Sequence, residues 1–142
     1  MRHISELEGI FLPVGPMLQI DRVVECTAEG VVCETDLEGN WVFAVHFPGD
    51  PIFPGSLLVE GAGQAIAIWA WESGLRGEPR LVKVGAEFRS PVVPADRVLT
   101  YTGTLKRRRN LCVGSVEVAA GGRSVARVTG SLMVTHTRQG GL

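Results

Sequence analysis

Cysteine and histidine are scarce in this sequence. The chain of 142 residues contains three of each, and the cysteines, Cys26, Cys33 and Cys112, form no Cys-x-x-Cys pair. The histidines also lie far apart in sequence. Zinc sites need clusters of these residues at short spacings, and a disulfide framework is expected to use an even number of cysteines. We therefore expect no metal site, and we expect reduced thiols in a protein of the cytoplasm.

An excess of charge of either sign is also absent. The chain carries 14 basic and 15 acidic residues, for a net charge of −1. No overall field therefore attracts nucleic acid or an anionic membrane. The most apolar run, residues 57–71, contains Glu60 and several glycines and is too polar to span a bilayer. Residues 1–8 lack the apolar core of a signal peptide.

The common nucleotide-binding loops and the nucleophile elbow of serine hydrolases are missing as well. The 18 glycines do not form a dinucleotide-binding or Walker loop, so the sequence implies no nucleotide cofactor. Ser56 follows Gly55 but lacks the flanking glycines of a nucleophile elbow, and we interpret it as a first-turn residue of a helix. Whatever chemistry the chain performs is expected to use its own side chains without a cofactor.

The residues that are present predict one globular domain over residues 1–142, with 45% hydrophobic and 20% charged residues. Segments rich in β-branched residues predict strands at 17–26, 31–37, 80–90, 97–107, 111–119 and 124–135. Residues 41–45 read as a further extended segment, and the tail from Arg138 reads as loose. With one long helix in the middle, the order predicts an α+β fold in which a curled antiparallel sheet wraps around that helix.

The central helix follows a stiff loop. Three prolines, Pro48, Pro51 and Pro54, restrict the chain after His46, and no further proline occurs until Pro79. Residues 56–73 are therefore predicted to be helical, with a stop at the next glycine. One apolar side of this helix is expected to face the sheet. That side is formed by Leu58, Ala62, Ala65, Ile66 and Trp69.

Two titrating groups flank the start of this helix. His46 precedes the loop, and Glu60 lies about one turn into an otherwise apolar helix. If Glu60 is buried, its neutral form is favoured and it could donate a proton near neutral pH. Imidazole titrates near neutral pH, so His46 is a natural base, and the first N–H groups of the helix, near Gly55, could polarise a carbonyl. The alternatives are a structural histidine and a glutamate on an exposed flank.

The sequence of residues 46–55, His-Phe-Pro-Gly-Asp-Pro-Ile-Phe-Pro-Gly, decides between these readings. With Glu60 fourteen positions after His46 and Gln64 four further on, it resembles the active-site segment of the hot-dog-fold 3-hydroxyacyl-[acyl carrier protein] dehydratases. The resemblance implies that His46 removes a proton from C2 and that Glu60 protonates the leaving hydroxyl. It also implies that the Gly55 N–H stabilises the thioester oxyanion and that Gln64 orients Glu60 or the leaving water.

Other expectations depend on the same resemblance. Phe47 and Trp71 are candidates for contacts with the acyl chain, whereas Trp69 is expected in the core. The partners are an acyl carrier protein and a second copy of the chain, with His46 and Glu60 of each site supplied by different protomers. The basic run Arg107, Arg108 and Arg109 could bind the acidic carrier, or it could be an ordinary solvated hairpin tip.

Several alternatives remain open from the sequence. A hot-dog thioesterase would use Glu60 to activate water, and a non-catalytic hot-dog subunit would only bind acyl chains. The retention of His46 argues against the thioesterase, and the presence of both His46 and Glu60 argues against the non-catalytic subunit. Some residues resemble the hydroxydecanoyl type of dehydratase and others the general 3-hydroxyacyl type. The acyl chain length, double-bond isomerisation and the choice between fatty-acid and polyketide synthesis therefore stay undecided.

Overall fold

A seven-stranded sheet curls around one long helix. The structure is a computed structural model, and it describes residues 1–135. The strands are β1 (Arg2–His3), β2 (Arg22–Thr27), β3 (Gly30–Asp36), β4 (Glu78–Phe88), β5 (Val98–Arg108), β6 (Leu111–Ala120) and β7 (Arg123–Thr135). The helices are α1 (Val42–Val45) and α2 (Gly55–Glu72), and short 3-10 turns occupy Ile4–Glu6, Gly15–Met17 and Pro94–Asp96. The tail that was expected to be loose lies outside the described residues.

The strands form one antiparallel sheet in the order β1-β2-β3-β5-β6-β7-β4. Strands β5, β6 and β7 are neighbours in sequence and in space, as expected for hairpins. Strand β4 precedes them in sequence but pairs with β7, from Glu78 opposite Thr135 to Phe88 opposite Ala126. It is therefore an edge strand of the described sheet. The predicted α+β architecture is confirmed.

Helix α2 agrees with its predicted range to within one residue at each end. Pro54 adopts an extended conformation, and its carbonyl oxygen accepts the N–H groups of Leu57 and Leu58 at 3.0 and 3.2 Å. The helix ends at Glu72. The hydroxyl of Ser73, the C-cap residue, donates to the Trp69 carbonyl, and Gly74 follows with a φ of 96° that suits glycine. Proline before the helix and glycine after it thus set both boundaries.

The apolar side of α2 packs on the sheet as predicted. Each of its five residues, Leu58, Ala62, Ala65, Ile66 and Trp69, is at most 3% exposed. Gly61 allows the closest approach, because a Cβ atom there would overlap the hydroxyl of Tyr101 on β5. Trp69 donates its indole N–H to the Thr27 carbonyl oxygen at 2.8 Å. The interpretation of Trp69 as a core residue is therefore confirmed.

Two local predictions were wrong. Residues 41–45 are not extended: Val42–Val45 form α1, with Trp41 as the N-cap residue. The side-chain oxygen of Asn40 accepts the Val42 N–H at 3.1 Å. This hydrogen bond to the Asn40 side chain favours a turn just before the helix, which the apolar composition of the segment concealed, and the helical turn buries Val42. The first long strand begins at Arg22 rather than Met17, because Gly15–Met17 forms a 3-10 turn that packs against α2.

One helix does not cover the whole inner face of this sheet. Val84 on β4 pairs with Gly130 on β7, and a Cβ atom added to Gly130 would face Ile66 of α2. Because directly paired residues of antiparallel strands point to the same face, Val84 also points to the helix side. By alternation, Phe88 also points to this side. Yet Val84 is 45% exposed and Phe88 is 56% exposed. The inward face of the edge strand thus extends beyond α2 as an exposed apolar surface.

Some features are absent from the part of the chain that the structure describes. No helix there is long and apolar enough to cross a membrane. No group of three or more His, Cys, Asp or Glu side chains within residues 1–135 could hold a metal ion. The three cysteines are unpaired thiols, and burial raises the pKa of Cys33 to about 12.

Candidate active site

The carboxyl group of Glu60 is held by Gln64, one turn further along α2. The side-chain Nε2 of Gln64 donates to Glu60 Oε2 at 2.8 Å. Gln64 itself is 3% exposed, so this hydrogen bond is sheltered from water on one side. A single donor on Oε2 leaves Oε1 available to carry and deliver a proton. The predicted role of Gln64 in orienting Glu60 has a direct contact to support it.

The orientation of the Gln64 amide is unambiguous. Its Oε1 accepts the backbone N–H of Gln19, and its Nε2 donates to the backbone carbonyl of Met17, both at 2.8 Å. A flipped amide would place a donor against the Gln19 N–H and an acceptor against the Met17 carbonyl oxygen. Nε2 therefore faces Glu60 and has both hydrogens engaged. The acid is held from behind by a side chain that cannot rotate without losing three hydrogen bonds.

Glu60 lines an apolar cleft of about 520 Å³. Gly63, Gln64 and Ala67 of α2 form its floor together with Glu60. Its other walls come from the segment before the Gly15–Met17 turn and from strands β4 and β7. These wall residues are Phe11, Leu12, Pro13, Val14, Pro79, Arg80, Leu81 and Leu132. A carboxyl group at the side of an apolar cleft is an arrangement suited to proton transfer on a lipid-like substrate.

His46 lies at the end of α1 with its ring aligned by the proline loop. Its Nδ1 is 2.8 Å from the carbonyl oxygen of Ile52, and its own carbonyl accepts the Ile52 N–H at 2.8 Å. Because a carbonyl oxygen only accepts, Nδ1 carries the hydrogen and the lone pair of neutral imidazole is at Nε2. The ring stacks on Phe47 with 4.0 Å between centroids. The histidine is thus prepared to act as a base through Nε2.

The structure does not bring all the predicted site residues together in one chain. Glu60 and Gln64 line the same cleft, but His46 and Phe47 are not among its lining residues. Phe47 is 52% exposed beside the histidine. Trp71 points elsewhere, with the Arg76 guanidinium 4.1 Å above its ring. A single chain therefore presents two separate halves, an acid with a cleft and a base on an exposed loop.

Gly55 is the first residue of α2 and lies against the end of β4. The first N–H groups of a helix have no acceptor within the helix and are free to bind a ligand oxygen. A Cβ atom at residue 55 would come within 2.9 Å of the Phe88 ring. The absence of a side chain at Gly55 therefore leaves room for the Phe88 ring beside the helix start. This close packing restricts the space in which an oxyanion could meet the Gly55 N–H.

The basic hairpin lies at the other end of α2. Arg107 donates to the carbonyl oxygen of Ser73, which follows the helix, at 2.8 Å, and to the carbonyl oxygen of Arg109 at 2.7 Å. An 18-residue helix is about 27 Å long, so within one chain this hairpin is roughly that far from Gly55. Arg108 and Arg109 are exposed. Arg107 is partly a structural residue, and the other two are the freer cations.

Sequence reasoning missed the residues that support Gln64. Gln19 is 4% exposed and Thr35 is 2% exposed, and both were hidden within segments assigned to strands. The signal that could have found Gln19 is a long polar side chain within the apolar run 17–20. A glutamine in such a place needs hydrogen-bond partners. Nothing in the spacing indicated that the partner would be Gln64.

Comparison with known proteins identifies the family. Residues 12–129 match the FabA-like domain. The chain belongs to the FabA-like family. Among its relatives, the 3-hydroxyacyl-[acyl-carrier-protein] dehydratase FabZ of Ehrlichia chaffeensis is 36% identical over 113 residues, covering 78% of this FabA-like chain and 79% of the relative. The enzyme of the same name from Brucella abortus (strain S19) is 37% identical over 114 residues, covering 72% and 71%.

Solved structures share the fold of this FabA-like protein. The dehydratase heterocomplex ApeI:P from Xenorhabdus doucetiae superposes with a TM-score of 0.73 at 18% identity, covering 88% of both chains. A hypothetical thioesterase from Streptococcus pneumoniae, solved with coenzyme A, has a TM-score of 0.67 at 20% identity and covers 83% of this chain and 88% of the other. Similarity at these identities supports the hot-dog fold alone, and that prediction is confirmed.

Proposed function

We propose that this protein dehydrates 3-hydroxyacyl thioesters carried on acyl carrier protein to trans-2-enoyl thioesters, as a cytoplasmic enzyme of fatty-acid or polyketide synthesis. The observation that carries the proposal is the Glu60 carboxyl group, held by Gln64 at an apolar cleft, in a chain whose curated relatives are named as dehydratases of this kind. A dehydratase needs such an acid, because hydroxide is a poor leaving group unless it is protonated.

In the proposed mechanism, His46 Nε2 takes a proton from C2 of the substrate. The resulting negative charge on the thioester oxygen is stabilised by the Gly55 N–H at the start of α2. The C2–C3 double bond forms as the C3–O bond breaks, and Glu60 Oε1 gives its proton to the departing hydroxyl, which leaves as water. The histidine then holds one proton more and the glutamate one fewer, and a proton exchange with solvent restores both.

We propose further that each site is shared between two copies of the chain. His46 and Phe47 do not line the cleft that contains Glu60, and the loop that carries them is exposed. The edge strand β4 also leaves Val84 and Phe88 uncovered. A second copy that covers this surface would remove apolar area from water and could supply its His46 to the first copy's cleft. The proposed assembly is a homodimer or a higher homo-oligomer.

The proposed carrier contact is the hairpin between β5 and β6. Arg108 and Arg109 are exposed cations, and an acidic carrier would be attracted to them. The hairpin lies far from Gly55 of its own chain, so the carrier docked there is expected to serve the site it can reach in the assembled oligomer. Phe47 is proposed to contact the acyl thioester beside His46. Trp71 is the weakest of the proposed contacts, because its ring packs with Arg76 away from the cleft.

One assay tests this function against its rivals. The protein is offered 3-hydroxyacyl and enoyl thioesters, and enoyl absorbance and free thiol are followed together. A dehydratase changes the absorbance without releasing thiol, a thioesterase releases thiol, and an acyl-binding subunit does neither. Release of thiol without a change in enoyl absorbance would overturn the proposal.

Two substitutions test the proposed acid and base. His46→Ala and Glu60→Gln are each expected to lower turnover by about a hundredfold or more, because each removes a positioned proton-transfer group. His3→Ala and Glu38→Gln are the matched controls, since both residues are exposed and lie outside the cleft. Near-normal turnover by either active-site variant would contradict the mechanism.

A further inference from the structure

We propose that Thr35 and Gln19 are positioning residues that hold the catalytic carboxyl group of Glu60 through the Gln64 amide. This inference depends on the proposed role of Glu60 as the acid. Neither residue touches the cleft. Both act on the short segment from Met17 to Gln19 that fixes the Gln64 side chain.

The first observation is where the buried polar side chains lie. Within residues 1–135, and apart from Tyr101, the buried polar or charged residues are Gln19, Thr35 and Gln64. All three belong to one hydrogen-bonded network, and that network ends on Glu60. Buried polar groups cost stability unless they are paired, and apolar side chains would fill the same space at less cost. Their concentration behind one carboxyl group indicates a role in the position of that group.

The second observation is how the network is connected. The Thr35 hydroxyl on β3 donates to the carbonyl oxygen of Gln19 at 2.5 Å. The N–H of Gln19 then donates to Gln64 Oε1 at 2.8 Å. Gln64 Nε2 donates to Glu60 at 2.8 Å. The sheet is thus connected to the acid on the helix by three hydrogen bonds, each with an unambiguous donor and acceptor.

The side chain of Gln19 closes the segment on itself. Its Nε2 donates to the carbonyl oxygens of Pro16 and Met17, at 3.1 and 3.2 Å. The Met17 carbonyl is the same group that accepts the second hydrogen of Gln64 Nε2. Gln19 therefore controls both backbone groups that hold the Gln64 amide, one through its own N–H and one through its side chain. If the segment shifts, Gln64 must rotate or follow it, and Glu60 Oε1 moves away from the leaving hydroxyl.

The test uses a matched pair of variants at residue 35. Thr35→Val keeps the shape of the side chain and removes the donor, whereas Thr35→Ser keeps the donor. We expect Thr35→Val to lower kcat by about tenfold with KM within about twofold of the original value, because misplacement of a catalytic group affects the transition state more than binding. Thr35→Ser should restore kcat to within about threefold of the unmodified protein.

A double-mutant cycle distinguishes positioning from simple destabilisation. In a Gln64→Met background the connection to Glu60 is already lost, so Thr35→Val should lower kcat by less than about twofold further. Gln19→Met is a second, independent variant, usable if Thr35→Val does not fold, and should lower kcat about three- to tenfold in the native background alone. All variants are assayed as the intact oligomer, well below their melting temperatures.

Two results would overturn the inference. One is equal kcat for Thr35→Val and Thr35→Ser. The other is a decrease in kcat, caused by Thr35→Val or Gln19→Met, that is as large in the Gln64→Met background as in the native background. Glu60→Gln, assayed in the same series, tests the proposed function separately: if it retains full turnover, the acid assignment itself has failed, whatever the residue 35 variants do.

Discussion

The Glu60 side of the candidate site and the His46 loop are organised in opposite ways. Glu60 lies on a long helix packed on the sheet, and the buried side chain of Gln64 holds its carboxyl group. His46 lies between a one-turn helix and a proline loop, and its neighbours Val45 and Phe47 are 60% and 52% exposed. The half that contains Glu60 and its cleft is complete within one chain. The second half has an aligned ring but no cleft.

This difference indicates how such a site can be assembled. The acid must be placed accurately relative to the cleft. The packing of α2 on the sheet, together with Gln64, provides that placement. The base needs only the tautomer that leaves the Nε2 lone pair free. The hydrogen bond from Nδ1 of His46 to the Ile52 carbonyl oxygen fixes that tautomer locally. A half-buried base between exposed apolar side chains is then available to a second copy. We interpret the exposed inner face of β4 as the surface that brings the two halves together.

The largest effect is expected from a charge on that surface. Val84→Lys places an ammonium group where the account requires apolar contact, so the oligomer should dissociate and turnover should fall by about a hundredfold, as when the base itself is lost. Light scattering coupled to size-exclusion chromatography measures the mass, and the enoyl assay measures turnover. Thr104→Lys is the control, because Thr104 on β5 is exposed and alternates with the buried Gly103 and Leu105, so it lies on the outer face of the sheet. A Val84→Lys protein that remains oligomeric and active would show that β4 is not the interface.

An intermediate effect is expected from rigid packing beneath Glu60. Gly61→Ala would force a methyl group against the Tyr101 hydroxyl and should destabilise the fold by about 1–3 kcal/mol. Gly63→Ala is the matched control, since its methyl group would meet only Leu81, at 3.9 Å, and alanine favours a helix by about 0.8–1.0 kcal/mol over glycine. Urea unfolding of both variants measures the difference. If both lower stability equally, the account of close helix–sheet packing at Gly61 is wrong.

The smallest effect concerns the basic hairpin, which belongs to neither half of the site. Reversing the charge at Arg108 and Arg109 should slow reaction with carrier-bound substrate several-fold, because rim charges mainly affect the rate of encounter. The rate with a short pantetheine substrate should not change. Arg107 is left intact because it bonds to Ser73. Equal rates for the variant and the original protein on both substrates would show that the hairpin is an ordinary solvated turn with no role in carrier binding.

The sequence was most informative where one local rule dominates. Prolines before Gly55 and the glycine after Ser73 predicted the long helix, and β-branched alternation predicted the later strands. It failed for α1, because the side-chain oxygen of Asn40 favours a turn there, whereas the apolar run itself reads equally well as a strand. The Gln19–Gln64 contact joins residues 45 positions apart and has no local signature. The spacing of His46 and Glu60 in the sequence does not show that His46 lies away from the cleft, because this depends on how the chain folds in three dimensions.

The central claim, that His46 of one copy acts with Glu60 of another, can be tested by mixing two inactive variants. His46→Ala and Glu60→Gln chains are unfolded together, refolded together and assayed beside each variant refolded alone. A mixed dimer would contain one site with both substitutions and one intact site. Random pairing makes about half of the dimers mixed, so about a quarter of the original activity should return. No recovery, with mixed dimers confirmed by tag pull-down, would mean that one chain supplies both groups.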